Sequence, residues 1–346
     1  MTPAAAILAV SSDVAGDEWN AYVRQHPLGT VDHCWEWRRV FSEVFGHRSE
    51  YVAARRGGAI VGVLPLVLFR SRMFGRSVIS LPMLNYGGLL ADDEAVHDAL
   101  LAEAERVGRA FGARYVELRH RSRMTSLPVR EHKVSVLLSL PDTAATLWDS
   151  LDRKVRNQIR KAQKSDFTVE SGGAPLVNRF YQVFAENMRD LGTPVYSRQL
   201  FRMVAEQFAE RAAFHVISLA GRPVAAGVTL LHNDTILVPW ASSLRSYRHL
   251  CPNMLLYRTM IEHAISTGAR TFDFGRSSAD AGTLSFKLQW GARAEPQSWE
   301  YLLLTATELP EHGPVNPRFS RAIEAWKRLP LGIANAIGPA IVRQIP

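Results

Sequence analysis

The segment Gly268–Phe274 reads GARTFDF, and a similar segment, GARYVEL, occurs earlier in the chain at Gly112–Leu118. Each of them follows a helical pattern of apolar residues and begins a short apolar strand. A second pair of similar segments, Gly58–Gly62 and Gly221–Ala225, lies at a hairpin turn in each half of the chain. Because both pairs recur in the same order, the sequence indicates the duplication of one α/β unit.

The apolar periodicity of the two halves agrees with this duplication. Each half reads as two paired strands, a helix and a further strand, with the helices at Asp92–Phe111 and Pro252–Thr267. Another helix is expected over Thr143–Lys164. The predicted fold class is therefore α/β (α+β), with two tandem domains that each contain a mixed sheet flanked by helices. The predicted domains are residues 1–145 and 146–305, followed by a basic amphipathic tail at residues 306–346.

Composition limits the kinds of partner. The chain has 346 residues, is 47% apolar and carries a formal net charge of +8. A positive charge favours an anionic partner, such as nucleic acid, an acidic lipid surface or a phosphate-bearing substrate. Cys34 and Cys251 are too far apart in sequence to suggest a disulfide framework, and the histidines show no metal-site spacing. We expect a reducing compartment and no bound metal.

The N-terminus and the apolar runs bear on localisation. Met1–Val10 has no basic residue before its apolar part, so it is a poor signal peptide. The longest uncharged apolar run, Ala59–Phe69, is too short to span a bilayer. The protein is therefore expected to be cytoplasmic, with peripheral contact at the inner face of the membrane as a further option.

The residues that follow Phe274 carry the most distinctive chemistry. Gly275 interrupts the strand and places Arg276 at its carboxyl end, and Lys287 returns later between two apolar residues. Ligand sites of α/β folds gather at the carboxyl ends of strands, so two cations there suit a negatively charged ligand. The alternative is that Arg276 pairs with Asp273 and that Lys287 lies on the surface.

A second basic region is the predicted helix between Arg153 and Lys164, which contains six basic residues and no acidic one. Val155, Ile159 and Ala162 share one face of this helix. Like charges one turn apart oppose helix formation, so we expect a phosphate-rich ligand to compensate them. A solvated helix face is the alternative.

The C-terminal tail combines basic residues with Trp326 and several isoleucines, and Pro330 and Pro339 divide it. A basic amphipathic segment of this kind suits an anionic membrane surface. It suits equally well a helix that packs on the second domain.

The sequence Arg156-Asn157-Gln158-Ile159-Arg160-Lys161-Ala162, together with the late pair Phe286-Lys287, resembles motifs of the FemAB family, which are tandem GNAT-like acyltransferases. Other segments are similar to the FemAB-like proteins associated with exosortase (PEP-CTERM) and exopolysaccharide systems; these are Leu191–Tyr196, Pro252–Tyr257, Asp273–Ser277 and Trp290–Ala292. Two family features are missing from the sequence: the glycine-rich turn with which GNAT domains hold the pyrophosphate of coenzyme A, and a long heptad arm for tRNA.

Characterised FemAB relatives transfer an amino acid from aminoacyl-tRNA to an amine of a peptidoglycan precursor. The resemblance implies acyl or aminoacyl transfer to an amine of a cell-envelope or exopolysaccharide precursor. The donor would be aminoacyl-tRNA or acyl-CoA, with no tightly bound cofactor. No Ser-His-Asp or Cys-His arrangement is readable, which favours direct attack in a ternary complex. The alternatives are a CoA-dependent N-acetyltransferase of polysaccharide biosynthesis and a non-catalytic component that binds anionic lipid or glycan.

The resemblance also implies roles for particular residues. Lys287 would lie near the reacting centre and stabilise the oxyanion, and Asp273 is the second catalytic candidate, with a structural role as its alternative. The predicted substrate-binding residues are Arg276, Arg156, Arg160, Lys161, Tyr196, Asn253, Asn85, Tyr86 and Gly87. A turn position would explain Tyr196, and a helix cap would explain Asn253. The expected partners are a phosphate-bearing or lipid-linked substrate, tRNA, and an anionic membrane contacted through the tail.

Overall fold

The computed structural model describes residues 7–278, 282–310 and 320–346. The chain forms two compact units. The first contains Met1–Lys133, Pro296–His312 and Gln344–Pro346, and the second contains Val134–Glu295 and Gly313–Arg343. Pro296–His312 thus group with the N-terminal part of the chain, from which they are distant in sequence.

The first unit is built on an antiparallel meander. Its elements are β1 (Leu8–Ser11), α1 (Gly16–Gln25), α2 (Glu36–Glu43), β2 (Arg48–Arg56), β3 (Ala59–Ser71), β4 (Gly75–Ile79), β5 (Leu90–Ala91), α3 (Glu94–Phe111) and β6 (Tyr115–His120). Strands β1 to β4 pair antiparallel in chain order, β5 pairs with β3, and β6 lies parallel to β4. Ser298–Leu303 pairs antiparallel with β6. The result is a mixed sheet.

Helix α3 covers this sheet because its apolar residues recur at helical spacing. Val96, Leu100 and Ala104 are fully buried against residues of β2, β3 and β6. The Asp93 side chain caps the helix by accepting a hydrogen bond from the Val96 amide at 3.0 Å. Gly112 ends the helix in the left-handed conformation, and the strand β6 begins three residues later.

The second unit repeats a mixed sheet flanked by helices. Its elements are β7 (Val129–Ser139, in this unit from Val134), α4 (Ala144–Ser150), α5 (Arg153–Gln163), β8 (Phe167–Gly172), α6 (Val177–Leu191), α7 (Arg198–Gln207), β9 (Ala212–Leu219), β10 (Arg222–His232), β11 (Thr235–Ser243), α8 (Pro252–Ser266), β12 (Thr271–Ser278), α9 (Gly282–Leu288), β13 (Arg293–Leu303, in this unit up to Glu295), α10 (Ser320–Lys327) and α11 (Leu331–Val342). Its strand order is β7-β12-β11-β10-β9-β8, and β12 runs parallel to β11.

The core of the second unit lies between this sheet and two helices, α5 and α8. Val155 and Ile159 of α5 meet Met260 of α8 and Phe272 of β12 in one buried cluster. The single helix expected over Thr143–Lys164 was wrong, because the chain forms α4 and α5 instead. Leu151 between them is buried in an extended conformation (φ −72°, ψ 141°), and this burial fixes the break.

The expected fold class, mixed sheets flanked by helices, is confirmed in both units. Among the described residues, every helix is too short or too polar to pass through a bilayer. Two parts of the predicted features, residues 279–281 of the polar loop and residues 311–319 of the tail, lie outside the described residues.

Candidate active site

The centre of the candidate site is an irregularity in β12. The strand was expected to end near Phe274, but it continues to Ser278. Within it Gly275 has φ +71°, a conformation that glycine adopts without the clash that a Cβ would cause. The Asp273 carboxylate accepts a hydrogen bond from the Gly275 amide at 2.7 Å, which holds this turn of the backbone in place. The carbonyl groups of Gly275 and Arg276 are thereby available to a side chain from elsewhere.

That side chain is Lys287, which lies near the end of the short helix α9. Its Nζ donates hydrogen bonds to the carbonyl oxygens of Gly275 (3.1 Å) and Arg276 (3.0 Å). The residue is only 8% exposed, so the alternative of a surface lysine was wrong. An ammonium group has three N–H donors. Within the described part of the chain two of them have acceptors, which leaves one for a ligand.

Burial lowers the pKa of Lys287 to about 8. The charge of Asp273 opposes this lowering, and the charge of Arg276 adds to it. The side chain is therefore mostly protonated at neutral pH, although its ammonium group is poorly solvated. A cation in this state gains more than a surface lysine does from a nearby negative charge.

An aromatic cluster holds α9 against the sheet. The ring of Tyr257 on α8 stacks on Phe274 at a centroid distance of 5.5 Å and meets the edge of Phe286 at 5.0 Å. Trp290 lies 6.4 Å from the same tyrosine ring. Because Phe286 precedes Lys287 directly, this packing fixes the position of the ammonium group.

Ser277 is a polar residue to which the sequence analysis assigned no role, although it ends the family-like segment Asp273–Ser277. It is buried on β12 next to Arg276, and its hydroxyl has no hydrogen-bond partner among the described residues. A buried hydroxyl without a protein partner is rare in folded proteins, and a bound water or a polar ligand can satisfy it. Its place in that segment, two residues after Gly275, was the available signal.

Helix α5 presents most of its basic residues to solvent, as its apolar spacing predicted. Arg153, Lys154 and Lys161, with Asn157 and Gln158, line an open, shallow depression on the surface. Within the part of the chain that the structure describes, none of the six cationic side chains between Arg153 and Lys164 forms a salt bridge to a carboxylate. The positive charges of this helix are therefore not neutralised by carboxylates of the described residues.

The other two predicted residues of this motif have different surroundings. Arg156 is half-buried and does not line the depression. Arg160 is exposed and lies over the indole ring of Trp148 at 5.3 Å, and Arg258 of α8 lies over the same ring at 5.1 Å. Two guanidinium groups thus share one tryptophan, which is a favourable cation–π arrangement.

Asn253 and Tyr196 are placed as follows. Cys251, with φ +60°, occupies the cap position of α8, and Asn253 lies inside the first turn, so the alternative explanation of Asn253 as a helix cap was wrong. Tyr196 is half-buried, its ring stacks on Phe184 at 6.3 Å, and its carbonyl oxygen accepts a hydrogen bond from the Tyr181 hydroxyl. Their substrate-binding roles stay predictions.

In the first unit, Asn85, Tyr86 and Gly87 form a buried loop after β4. The amides of Asn85 and Tyr86 both donate to one carboxylate oxygen of Asp32, at 3.0 and 2.9 Å. Because Asp32 already accepts hydrogen bonds from these two backbone amides, they are not available to a ligand. A ligand at this loop would contact Gly87 or the side chains instead. Asp32 was missed because it lies more than fifty residues earlier in the chain.

A buried ionic network surrounds this loop. Arg119 donates to Glu117 at 2.7 Å and lies over the ring of Trp299 at 4.1 Å. The Leu89 amide donates to Nε2 of His120, which places the ring proton of a neutral imidazole on the opposite nitrogen, towards Glu300. Burial raises the pKa of Glu300, but the nearby His120 ring and hydrogen bonds from the amides of Met124 and Thr125 lower it further than burial raises it. The sequence pattern did not select any of these residues.

No group of three or more histidine, cysteine, aspartate or glutamate side chains is arranged to hold a metal ion among the described residues.

Comparison with known proteins identifies the fold. Residues 150–287 match the family model for the acetyltransferase (GNAT) domain. The search of curated proteins found no match. Among solved structures, FemX superposes with a TM-score of 0.68 at 15% identity, over 86% of this chain and 98% of that one.

Two further structures are similar. L-PGS from Bacillus licheniformis gives a TM-score of 0.53 at 12% identity, over 79% of this chain and 92% of that one. A tandem GNAT protein from the clavulanic acid biosynthesis pathway gives 0.51 at 13% identity, over 85% and 97%. The expected tandem GNAT fold is therefore confirmed.

Proposed function

We propose that this protein, which has a tandem GNAT fold, is a FemAB-like N-acyltransferase. It would join an acyl or aminoacyl group to the amine of a cell-envelope or exopolysaccharide precursor. The family match and the structural neighbours support an acyltransferase in general. The observation that carries the proposal is the buried ammonium of Lys287, which two backbone carbonyls hold in place.

In the proposed reaction the acceptor amine attacks the carbonyl carbon of the donor. A C–N bond forms, the carbonyl oxygen becomes an oxyanion, and the bond to the leaving oxygen or sulfur then breaks. The amine proton leaves to solvent and the leaving group takes up a proton. The remaining N–H of Lys287 donates to the oxyanion as its charge develops, an effect that is large when the donor is already positioned and poorly solvated.

Asp273 acts in this scheme by position. Its carboxylate holds the Gly275 amide, and its charge favours the protonated form of Lys287. The hydrogen bond keeps the carbonyl groups that hold Lys287 in position, and the negative charge keeps its ammonium group protonated. We assign Asp273 the role of a positioning residue rather than that of the proton acceptor.

The donor would be held through phosphate. Aminoacyl-tRNA and acyl-CoA both carry phosphates, and α5 presents cations that have no described carboxylate partner. Lys161, in the open depression, and Arg160, beside Trp148, are the proposed contacts, with Arg156 and Arg276 as further cations. A planar guanidinium suits phosphate through paired hydrogen bonds. Asn85, Tyr86, Gly87, Tyr196 and Asn253 remain proposed contacts to substrate.

The test is to measure binding of aminoacyl-tRNA, acetyl-CoA and a longer acyl-CoA in parallel, at low and high salt, and then transfer from the bound donor to a small amine. Saturable binding of one donor with transfer, lost in Lys287→Met, is the expected result. Saturable acetyl-CoA binding would select the CoA-dependent alternative. Binding without transfer from any donor, unchanged by Lys287→Met, would overturn the proposal in favour of a non-catalytic binding protein.

A further inference from the structure

Helix α11 packs on the second unit along one face only. Ala334, Gly338 and Val342 are buried at spacings of four residues. A Cβ at Gly338 would lie 2.9 Å from the backbone nitrogen of Val195, so the two backbones approach closely there. The tail was predicted either to lie on a membrane or to pack on the second domain, and the buried face of α11 packs on the second unit. This packing leaves the opposite face open.

The opposite face of α11 is exposed and entirely apolar. Ile333 is 48% exposed and Ile337 is 42% exposed, and Ala336 and Ala340 lie between and beyond them on the same side. No charged residue occurs from Leu331 to Val342. A surface helix ordinarily turns charged or polar residues to water on the side away from the core. Helix α11 instead turns apolar residues to water on that side.

A third large apolar side chain is exposed near the turn that leads into α11. Leu191, at the end of α6, is 51% exposed. Two residues earlier the Arg189 guanidinium donates to the carbonyl oxygen of Leu329 at 3.2 Å, in the turn that leads into α11. The exposed leucine therefore lies two residues from a contact with the turn that precedes α11.

Cations flank the apolar face. Arg328 precedes α11, Arg343 follows it, and Arg321 lies on α10, and all three side chains are exposed. The nearby acidic residue of α10, Glu324, is already paired with Lys327 at 2.6 Å. An uncharged helix face with basic residues at both ends has the composition of a segment that lies in the plane of an anionic lipid surface.

We propose that the exposed face of α11 docks on the interface of an anionic lipid bilayer, with Ile333 and Ile337 among the acyl chains and the arginines at the headgroups. The proposal is independent of the transfer chemistry. It would bring the protein to the surface at which lipid-linked acceptors reside.

A second copy of the chain fits this face less well. Antiparallel pairing of two α11 helices would place Arg328 of one copy beside Arg343 of the other, and parallel pairing would place each arginine beside its counterpart. Both arrangements oppose like charges. A helix of this length is about 18 Å long, so one such face covers much less than the roughly 800 Å² per partner of a stable dimer.

The test is flotation of the full-length protein with phosphatidylcholine vesicles, with and without phosphatidylglycerol. Because any basic protein binds anionic vesicles to some extent, the decisive variant keeps the charge: Ile333→Ser/Ile337→Ser. We expect this variant to lose at least about tenfold in affinity for the anionic vesicles. Its matched control is Val169→Ser, which removes an apolar side chain that is 44% exposed on β8 and should bind as the wild type does.

The charge contribution is tested by Arg328→Gln against Arg202→Gln, an exposed arginine of α7. We expect the first to weaken binding more than the second. Equal binding of the double isoleucine variant and the wild type would overturn the proposal. Self-association in sedimentation experiments that the double variant abolishes, without any specific vesicle binding, would also overturn it and assign the face to a second copy.

Discussion

Replacing Lys287 by methionine removes a buried ammonium group whose energetic cost depends on pH, so the stabilities of the two proteins are predicted to diverge in a defined pH window. In the folded protein burial lowers the pKa of Lys287 to about 8, from an ordinary value of 10.5. Between these values the unfolded chain binds more protons than the folded protein does. The free energy of unfolding of the wild type therefore rises with pH across this window.

The size of the effect follows from the two pKa values. Their separation corresponds to about 3 kcal/mol when the window is crossed completely. About 2 kcal/mol of this falls between roughly pH 7 and pH 9.5. Methionine has no titrating group, so the difference in unfolding free energy, wild type minus Lys287→Met, is predicted to increase by this amount.

The assay is urea unfolding followed by tryptophan fluorescence at a series of pH values, and it requires no knowledge of the substrate. Lys154→Met, which removes an exposed lysine of α5, supplies the baseline for titrations elsewhere in the protein. A difference between wild type and Lys287→Met that stays flat, or that falls as the pH rises, would refute the buried and desolvated state of this lysine.

Two further predictions concern the framework of the site and of the first unit. Gly275→Ala places a Cβ at a position with φ +71°, so it should cost about 1–2 kcal/mol of unfolding free energy. Gly282→Ala is the control and should cost little, because a Cβ meets open space there. Equal urea midpoints of the two variants would contradict this prediction. Arg119→Met leaves Glu117 buried without its partner, so it should lower the free energy of unfolding by about 3–5 kcal/mol. The double variant Glu117→Gln/Arg119→Met should recover part of this stability. If Arg119→Met were as stable as the wild type, the pair would not be desolvated.

Local sequence patterns were sufficient for much of the fold. The repeat at Gly112–Leu118 and Gly268–Phe274 predicted two units of similar order, and the helical spacing of Val155, Ile159 and Ala162 predicted the buried face of α5. The break between α4 and α5 could not be predicted in this way. Leu151 continues the apolar spacing of a helix, and only the backbone conformation in the folded structure shows that the chain is extended there.

The candidate site was predictable in its residues but not in its geometry. The apolar neighbours of Lys287 and its family motif selected it, but they did not reveal that its acceptors are backbone carbonyls twelve and eleven residues earlier. Those acceptors exist because Gly275 adopts a positive φ inside a strand that continues. Ser277 and Asp32 were missed because their roles depend on burial and on contacts between distant segments.

The central claim is that the Lys287 ammonium stabilises the oxyanion of acyl transfer. The most direct measurement is the single-turnover rate of transfer from the bound donor to an amine, in the wild type and in Lys287→Met. We expect the variant to bind the donor with similar affinity and to transfer about 10²–10³-fold more slowly. An unchanged rate in the variant, with the same donor bound, would contradict the claim.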